Sequence, residues 1–378
     1  MPGPSSSPAY DAVVAGASFA GLAAARRLRG RVLLLDRQAI GDGVTSACAA
    51  PRAIVEMMGA TAAIQQVHDA LVIHTPRGRA VWPLPEPFVT FDYRRFCLTA
   101  ASGAGAEFRC VAVLGREGRR VRTSAGTVEA RLLIDATGPR AALAGPLRGR
   151  RVAFGIESEV PVSVEPGLHF HFVPEIRDGY AWAFPCGGAT RFGVLSYRGR
   201  TKLRPALERF MARWGVRAGA VHGGYLATGW TSGTTGDVFV AGDAAGHCLP
   251  LSGEGIRTAV LAGDRCGALA QRVLDGTLTH AEAVAAYRAF VARSRRRYRG
   301  LLWANLLVLG LPPRWLGAGA RWLARPRVRG WFFRHYLGVM REEEGRSDAT
   351  AVPSQATRRR DESRIRVPQG NGSHAESR

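Results

Sequence analysis

Four short apolar runs organise the chain: Ala12–Ala15, Val32–Leu35, Leu132–Ile134 and Val238–Ala241. Each is too brief for a helix, and each stops at a glycine or an aspartate. Runs of this length, apolar on both faces, fit strands buried in a parallel sheet. Helical runs follow the first and the last of them, at Leu22–Leu28 and Arg257–Leu274. A different pattern fills the middle of the chain. There Leu168–Val173, Tyr180–Phe184 and Arg191–Tyr197 read as successive antiparallel strands joined by Gly/Pro/Asp turns. The expected fold is α/β. Its sheet domain is discontinuous, built from 9–56, 88–150 and 226–285, and an antiparallel-sheet substrate domain is inserted from 57–87 and 151–225. A basic helical segment at 286–345 follows, and the polar, charged 346–378 reads as a disordered tail.

The loops at the ends of these strands carry the chemistry. Gly16-Ala17-Ser18-Phe19-Ala20-Gly21 sits between the first strand and its helix, where a dinucleotide fingerprint of the Rossmann type must sit. Gly16 makes the tight turn, Gly21 permits close helix–strand packing, and the helix N-terminus offers free N–H groups to a pyrophosphate. Ser18 replaces the middle glycine, so a Cβ stands where backbone normally approaches phosphate. Asp36, followed by Arg37, closes the second strand at the spacing of a ribose contact. A lone imperfect pattern of this kind also fits an ordinary strand–turn–helix. Here two more segments accompany it: Asp135-Ala136-Thr137-Gly138, and Gly242-Asp243 followed by Gly253-Glu254-Gly255-Ile256. A helix opening at that point presents its positive end to the same dinucleotide site.

On these segments the chain resembles the FAD-dependent oxidoreductases with the glutathione-reductase type of Rossmann domain. The resemblance implies that FAD is held by Gly16, Ser18, Phe19, Ala20, Gly21, Asp36, Arg37, Gly138, Gly242, Asp243, Gly253, Glu254, Gly255 and Ile256, with Asp243 on the ribityl-pyrophosphate. Within that superfamily the chain is similar to the geranylgeranyl reductase group, which shares the p-hydroxybenzoate-hydroxylase type of fold. Three strings carry the likeness: Thr45-Ser46-Ala47-Cys48-Ala49-Ala50-Pro51, Gly179-Tyr180-Ala181-Trp182-Ala183-Phe184-Pro185, and Pro250 to Ile256. It spans about residues 9–285. It implies a cysteine near the flavin at Cys48, and a substrate wall at Tyr180, Trp182, Phe184 and Pro185.

The implied activity is reduction of carbon–carbon double bonds in an isoprenoid, either geranylgeranyl or polyprenyl. An isolated alkene accepts hydride only if the other carbon gains a proton, so an acid must face the flavin across the substrate. Cys48 and His247 are the candidates; Glu254 reads as structural. Each has a plain alternative, Cys48 as a small buried residue and His247 as a partner of a backbone carbonyl. Tyr180 and Trp182 share a strand face, which is pocket wall if it points inward. His169 and His171 share a face without a carboxylate, and no metal site is assigned. Cys186 reads as a core or pocket residue. Two other reactions remain open, a monooxygenase acting on a terpenoid or polyketide and a non-redox cyclase or isomerase of the lycopene-cyclase type. Halogenation is disfavoured, because the single lysine, Lys202, falls outside the FAD loops. NAD(P)H or a ferredoxin is the expected electron donor, since no second dinucleotide fingerprint is present.

Charge adds one feature. The net charge is +22, and Arg288 to Arg341 holds thirteen arginines and no acid, with Trp303, Trp315, Trp322 and Trp331 among them. The apolar run Leu301–Leu311 is too short to span a bilayer and is stopped by Pro312-Pro313. This composition fits a segment lying in a membrane interface, or a basic helix packing its tryptophans on the FAD-binding domain. No nucleic-acid motif accompanies the arginines. Six cysteines without a Cys-x-x-Cys pair fit a cytoplasmic protein with reduced thiols. Peripheral contact with the inner face of the cell membrane is the expected elaboration, and a hydrophobic isoprenoid or polycyclic molecule the expected substrate.

Overall fold

The apolar runs do pair as parallel strands. In the computed structural model, which describes residues 10–44, 47–145 and 149–341, Tyr10–Ala15 lies between Val32–Asp36 and Gly126–Asp135, with Val13 opposite both Leu33 and Leu133. Val238–Val240 extends the sheet beyond Gly126–Asp135, and Glu107–Cys110 extends it beyond Val32–Asp36. This register brings Gly16, Asp36, Ala136 and Ala241 out at one carboxyl edge, the place where open α/β sheets bind ligands. Helices Phe19–Ala25 and Ile256–Leu274 cross on one face. Their approach depends on glycine: a Cβ on Gly263 would stand 2.1 Å from the Ala20 carbonyl oxygen, and one on Gly267 would stand 2.5 Å from that of Ala24.

The second sheet has eight strands, running from His222–Thr228 through Arg151–Val160, Thr190–Ser196, Gly179–Pro185, Leu168–His171, Ile64–Thr75 and Gly78–Phe91 to Ala49–Pro51. Its pairs are antiparallel except Leu168–His171 with Ile64–Thr75. Three of these strands cross the boundaries expected from the sequence. Ala49–Pro51 joins this sheet although it precedes 57, Gly78–Phe91 runs unbroken past 88, and His222–Thr228 runs past 226. Backbone pairing with neighbouring strands, not composition, sets these limits, and in Gly78–Phe91 the pairing resumes after a register shift between Pro83 and Phe88. Helix Leu203–Ala212 packs on one face through Leu207, Phe210 and Met211, against Ala181, Ala183 and Phe192. The other face turns towards the carboxyl edge of the first sheet.

Four helices complete the described chain: His280–Arg293, Arg295–Gly310, Pro313–Leu323 and Pro326–Leu337. Thr279 and Glu282 close a capping box at the first. Tyr287, Tyr298, Leu301, Phe333 and Tyr336 bury themselves in the shared core. Trp82 Nε1 donates to the Ala320 carbonyl at 2.9 Å, and Trp230 Nε1 to that of Val291 at 3.1 Å. The four tryptophans of the segment do not make this packing. Trp303, Trp315, Trp322 and Trp331 are 68, 54, 53 and 59% exposed, which goes against the second of the two readings, that they pack on the FAD-binding domain. Among the described residues no helix is long and apolar enough to cross a membrane. Thr45, Ser46 and the 346–378 tail lie outside the described residues.

Candidate active site

A cavity of about 1130 Å³ opens between the two sheets and reaches the C-terminal helices. At its inner end lies the Gly16 turn. Gly16 has φ +104°, and a Cβ there would stand 2.2 Å from the Ala136 carbonyl oxygen. Gly21 does not line the cavity; a Cβ there would stand 1.7 Å from the Gly16 carbonyl oxygen, so this glycine permits the turn itself. Ser18 occupies the N-cap of helix Phe19–Ala25 without bonding to it, and its Oγ accepts from the Tyr93 hydroxyl at 3.0 Å. The Asp36 carboxylate accepts from the amides of Ala17 and Gln38 at 2.8 and 3.1 Å, tying the end of its strand to the glycine turn. Asp36, Arg37, Phe19, Ala20 and Gly138 all line the cavity. Buried Asp135 does not. Its carboxylate accepts from Thr137 N and Oγ1 and from the amides of Leu143 and Ala144, which shapes the loop leading to Gly138 and beyond.

Gly242, Asp243 and the loop Gly253–Ile256 line the same space. Asp243 accepts from the Ala227 amide at 3.1 Å, and burial pushes its carboxyl up to about 7. The Gly253 loop is pinned from two sides. The Tyr180 hydroxyl donates to the Ser252 carbonyl, while Ser252 Oγ lies 2.7 Å from the Tyr336 hydroxyl. Glu254 is paired with buried Arg257 at 3.0 Å, consistent with a structural role.

Strand Gly179–Pro185 presents Tyr180, Trp182 and Phe184 to the cavity, while Ala181 and Ala183 face the opposite core. The inward alternative is therefore the observed one. Pro185 is not part of the wall; its carbonyl accepts from Thr90 Oγ1 at 2.7 Å. Leu71, Ile73, Leu168 and Phe170 extend the apolar surface, and Leu307, Leu311, Trp315, Trp322 and Trp331 continue it outwards.

The two acid candidates separate. Cys48 lines the cavity in a left-handed conformation, φ +49°, with its thiol pushed well up by burial and only partly relieved by nearby Arg191. That buried arginine donates to the carbonyls of Ala47 and Phe91 and to Glu159 and Gln65, so it holds the cysteine loop in place. His247 is a correction. Gly246, at φ +68°, turns the chain away, and the imidazole packs on Trp230 with centroids 4.9 Å apart, fully buried and outside the cavity lining. Burial lowers it to about 3, so it stays neutral.

The sequence did not single out the polar pair on this wall. Buried Glu157 accepts from Trp182 Nε1 at 3.1 Å and lies 2.9 Å from His222 Nε2, and all three residues line the cavity. Nothing local marks them, since Glu157 and His222 sit on neighbouring strands and meet through register alone. Sequence reasoning also left His169 and His171 without a companion; the structure adds His74, on the sheet face away from the cavity.

No family model matches the chain. It is 26% identical over 321 residues to the digeranylgeranylglycerophospholipid reductase of Haloferax volcanii, covering 72% of this chain and 77% of that protein. Its fold resembles that of a geranylgeranyl bacteriochlorophyll reductase-like protein from Thermoplasma acidophilum, with TM-score 0.73 and 17% identity over 87% of this chain and 99% of the other. It also resembles p-nitrophenol 4-monooxygenase from Pseudomonas putida DLL-E4, with TM-score 0.69 and 14% identity over 88% and 98% of the two chains. The likeness to the geranylgeranyl reductase group read from the motifs is thus met by both a sequence relative and a shared fold.

Proposed function

We propose that this chain, an FAD-dependent oxidoreductase akin to the geranylgeranyl reductases, saturates carbon–carbon double bonds of a long isoprenoid carried on a lipid or diphosphate head. The observation that carries this reading is the continuity of the cavity, from the Gly16 and Gly242 turns past Tyr180, Trp182 and Phe184 to the C-terminal helices. A slender apolar chain fits such a passage better than a compact polar molecule does. The residues suit FAD: a turn that tolerates no Cβ at Gly16, an acid at Asp36, and a sheltered carboxyl at Asp243. Bound and reduced, FAD supplies the hydride.

The chain must supply the proton. His222, held by Glu157 on the cavity wall, is the donor we assign; Trp182 fixes the other carboxylate oxygen and so the direction of the pair. Cys48 is the second candidate. Its thiol holds its proton too tightly to be a well-matched acid near neutrality. The apolar wall keeps water from competing for the alkene.

The outer faces of the C-terminal helices would rest in the interface of an anionic membrane. Exposed Trp303, Leu307, Trp315, Trp322 and Trp331 stand among arginines, and all of these but Trp303 also line the mouth of the cavity. Substrate would then enter from lipid. Sedimentation with anionic vesicles checks this, and a Trp315→Ser/Trp322→Ser variant should stay in the supernatant. Electrons would come from NAD(P)H or a ferredoxin, distinguished by which of them bleaches the flavin without air.

The reaction is tested anaerobically by adding a geranylgeranyl lipid or geranylgeranyl diphosphate to the photoreduced protein. Return of the oxidised flavin band, with product heavier by two hydrogens per bond, is expected. Flavin that stays reduced with every prenyl substrate refutes the reductase. Oxygen retained in product once air is admitted would establish a monooxygenase, and product of unchanged mass a cyclase.

A further inference from the structure

The alternation that lines the cavity with Phe170 and Ile73 sends their neighbours to the opposite face of the sheet. His171 lies directly across the parallel pair from His74, and His169 is two residues before it. His74 Nε2 is 3.0 Å from His169 Nδ1, the His74 and His171 rings stack with centroids 4.0 Å apart, and one nitrogen from each ring falls within 4.8 Å of the other two. Phe210 and Trp214 close the far side against His171. We infer that His74, His169 and His171 form a binding site for one borderline divalent transition-metal cation, of the Zn(II) class. The inference does not depend on the reaction proposed above.

Hydrogen bonding alone leaves the cluster unfinished. His169 Nε2 lies 2.9 Å from the Glu165 carbonyl and must donate to it, which fixes the tautomer and leaves Nδ1 as a lone pair facing His74. Such an outer carbonyl is the usual orienting partner of a metal-binding imidazole. His171 is 9% exposed, and its Nε2 is buried with no hydrogen-bond partner. A cation among the three nitrogens would give His171 Nε2 a partner and take the place of the His74–His169 hydrogen bond. Three imidazoles with neither thiolate nor carboxylate suit Zn(II), Cu(II), Ni(II) or Co(II) and do not suit Ca(II) or Mg(II).

The surrounding charge permits a cation. Arg79 is paired with Glu165 at 2.7 Å, and Arg213 with Glu175. His74 is half-buried and gives access from solvent. The His74 and His171 rings, only 7° from parallel, must tilt for their nitrogens to converge. A bound cation would clamp the parallel seam of this sheet, whose other face is the wall formed by Leu71, Ile73 and Phe170.

The test uses the full chain with FAD bound and no histidine tag, stripped with a chelator and titrated with Co(II) and then Zn(II). One equivalent should bind and give an intense tetrahedral Co(II) absorption to the red of the flavin bands. Zn(II) should displace it, and the melting temperature should rise. His74→Ala should weaken binding by at least the ~10–100-fold that loss of even an outer partner costs, and His335→Ala should not. Because His74 is half-buried, its variant is expected to keep full flavin content, which separates loss of metal from loss of fold; His74→Gln serves as a second variant. Absence of a tight equivalent in the parent chain, or equal binding by both His74 variants and the parent, would overturn the inference.

Discussion

Replacing Arg257 by methionine probes the joint between the Gly253–Ile256 loop and the C-terminal helices. The arginine and Glu254 side chains are only 4 and 8% exposed, and Nη2 lies 3.0 Å from Glu254 Oε2. The guanidinium also donates to the carbonyls of Tyr336, Leu337 and Val339 at 3.2, 3.2 and 2.6 Å. Two of these are the last carbonyls of helix Pro326–Leu337, where intrahelical donors have run out. Methionine keeps much of the volume and removes the charge. Glu254 keeps the residue 257 amide at 2.9 Å but loses its counter-charge as a buried carboxylate, a loss of about 3–5 kcal/mol, and the helix end loses its charged cap. Because one group makes all of these contacts, the terms do not add, and a net loss of about 4 kcal/mol is expected. Adding Glu254→Gln removes the stranded charge and should restore about 2 kcal/mol, making the double variant more stable than the single one. Urea unfolding followed by tryptophan fluorescence measures both, with equal slopes as the check that the unfolded states match. A single variant within about 1 kcal/mol of the parent, or a double variant less stable than the single, would refute the clamp.

Four further outcomes are expected. Gly16→Ala places a Cβ 2.2 Å from the Ala136 carbonyl at φ +104°, so the purified variant should carry little FAD; near-stoichiometric flavin would contradict the assigned turn. His222→Ala and Glu157→Gln should lower turnover of a prenyl substrate by ~10²–10⁴-fold with flavin content unchanged, and Cys48→Ala should have the smaller effect; the reverse order would make the thiol the donor. Burial raises Asp243 from 3.8 to about 7, so the cofactor-free folded chain holds a proton there that the unfolded chain has released. Relative to Asp243→Asn, the parent should therefore gain stability as pH falls from about 7 towards 4 and show a constant difference above that window. His247, lowered from 6.5 to about 3, works in the opposite sense. Relative to His247→Phe, the parent loses stability as pH falls below 6.5, and the two difference profiles, from urea midpoints across pH, should slope in opposite directions.

The apolar runs, the glycine turn and the position of Asp36 were legible in the sequence because each is a local constraint. A buried parallel strand needs an unbroken apolar run, a strand-to-helix turn against backbone needs glycine at Gly16, and alternation places Tyr180, Trp182 and Phe184 on one face. Which face lies inward was already a tertiary matter, settled by the opposite core that Ala181 and Ala183 join. His247 shows where adjacency misleads: one left-handed residue, Gly246, turns it from the cavity into the core although it follows the Gly242-Asp243 turn closely. The pairs that carry most of the proposed chemistry are remote in sequence. Glu157 meets His222 through an antiparallel register, His74 meets His171 through a parallel one, and Arg257 reaches the end of a helix eighty residues on. A side chain's period declares which face it occupies. Its partner across the sheet is chosen by the packing of the whole chain, which alone sets strand order and register.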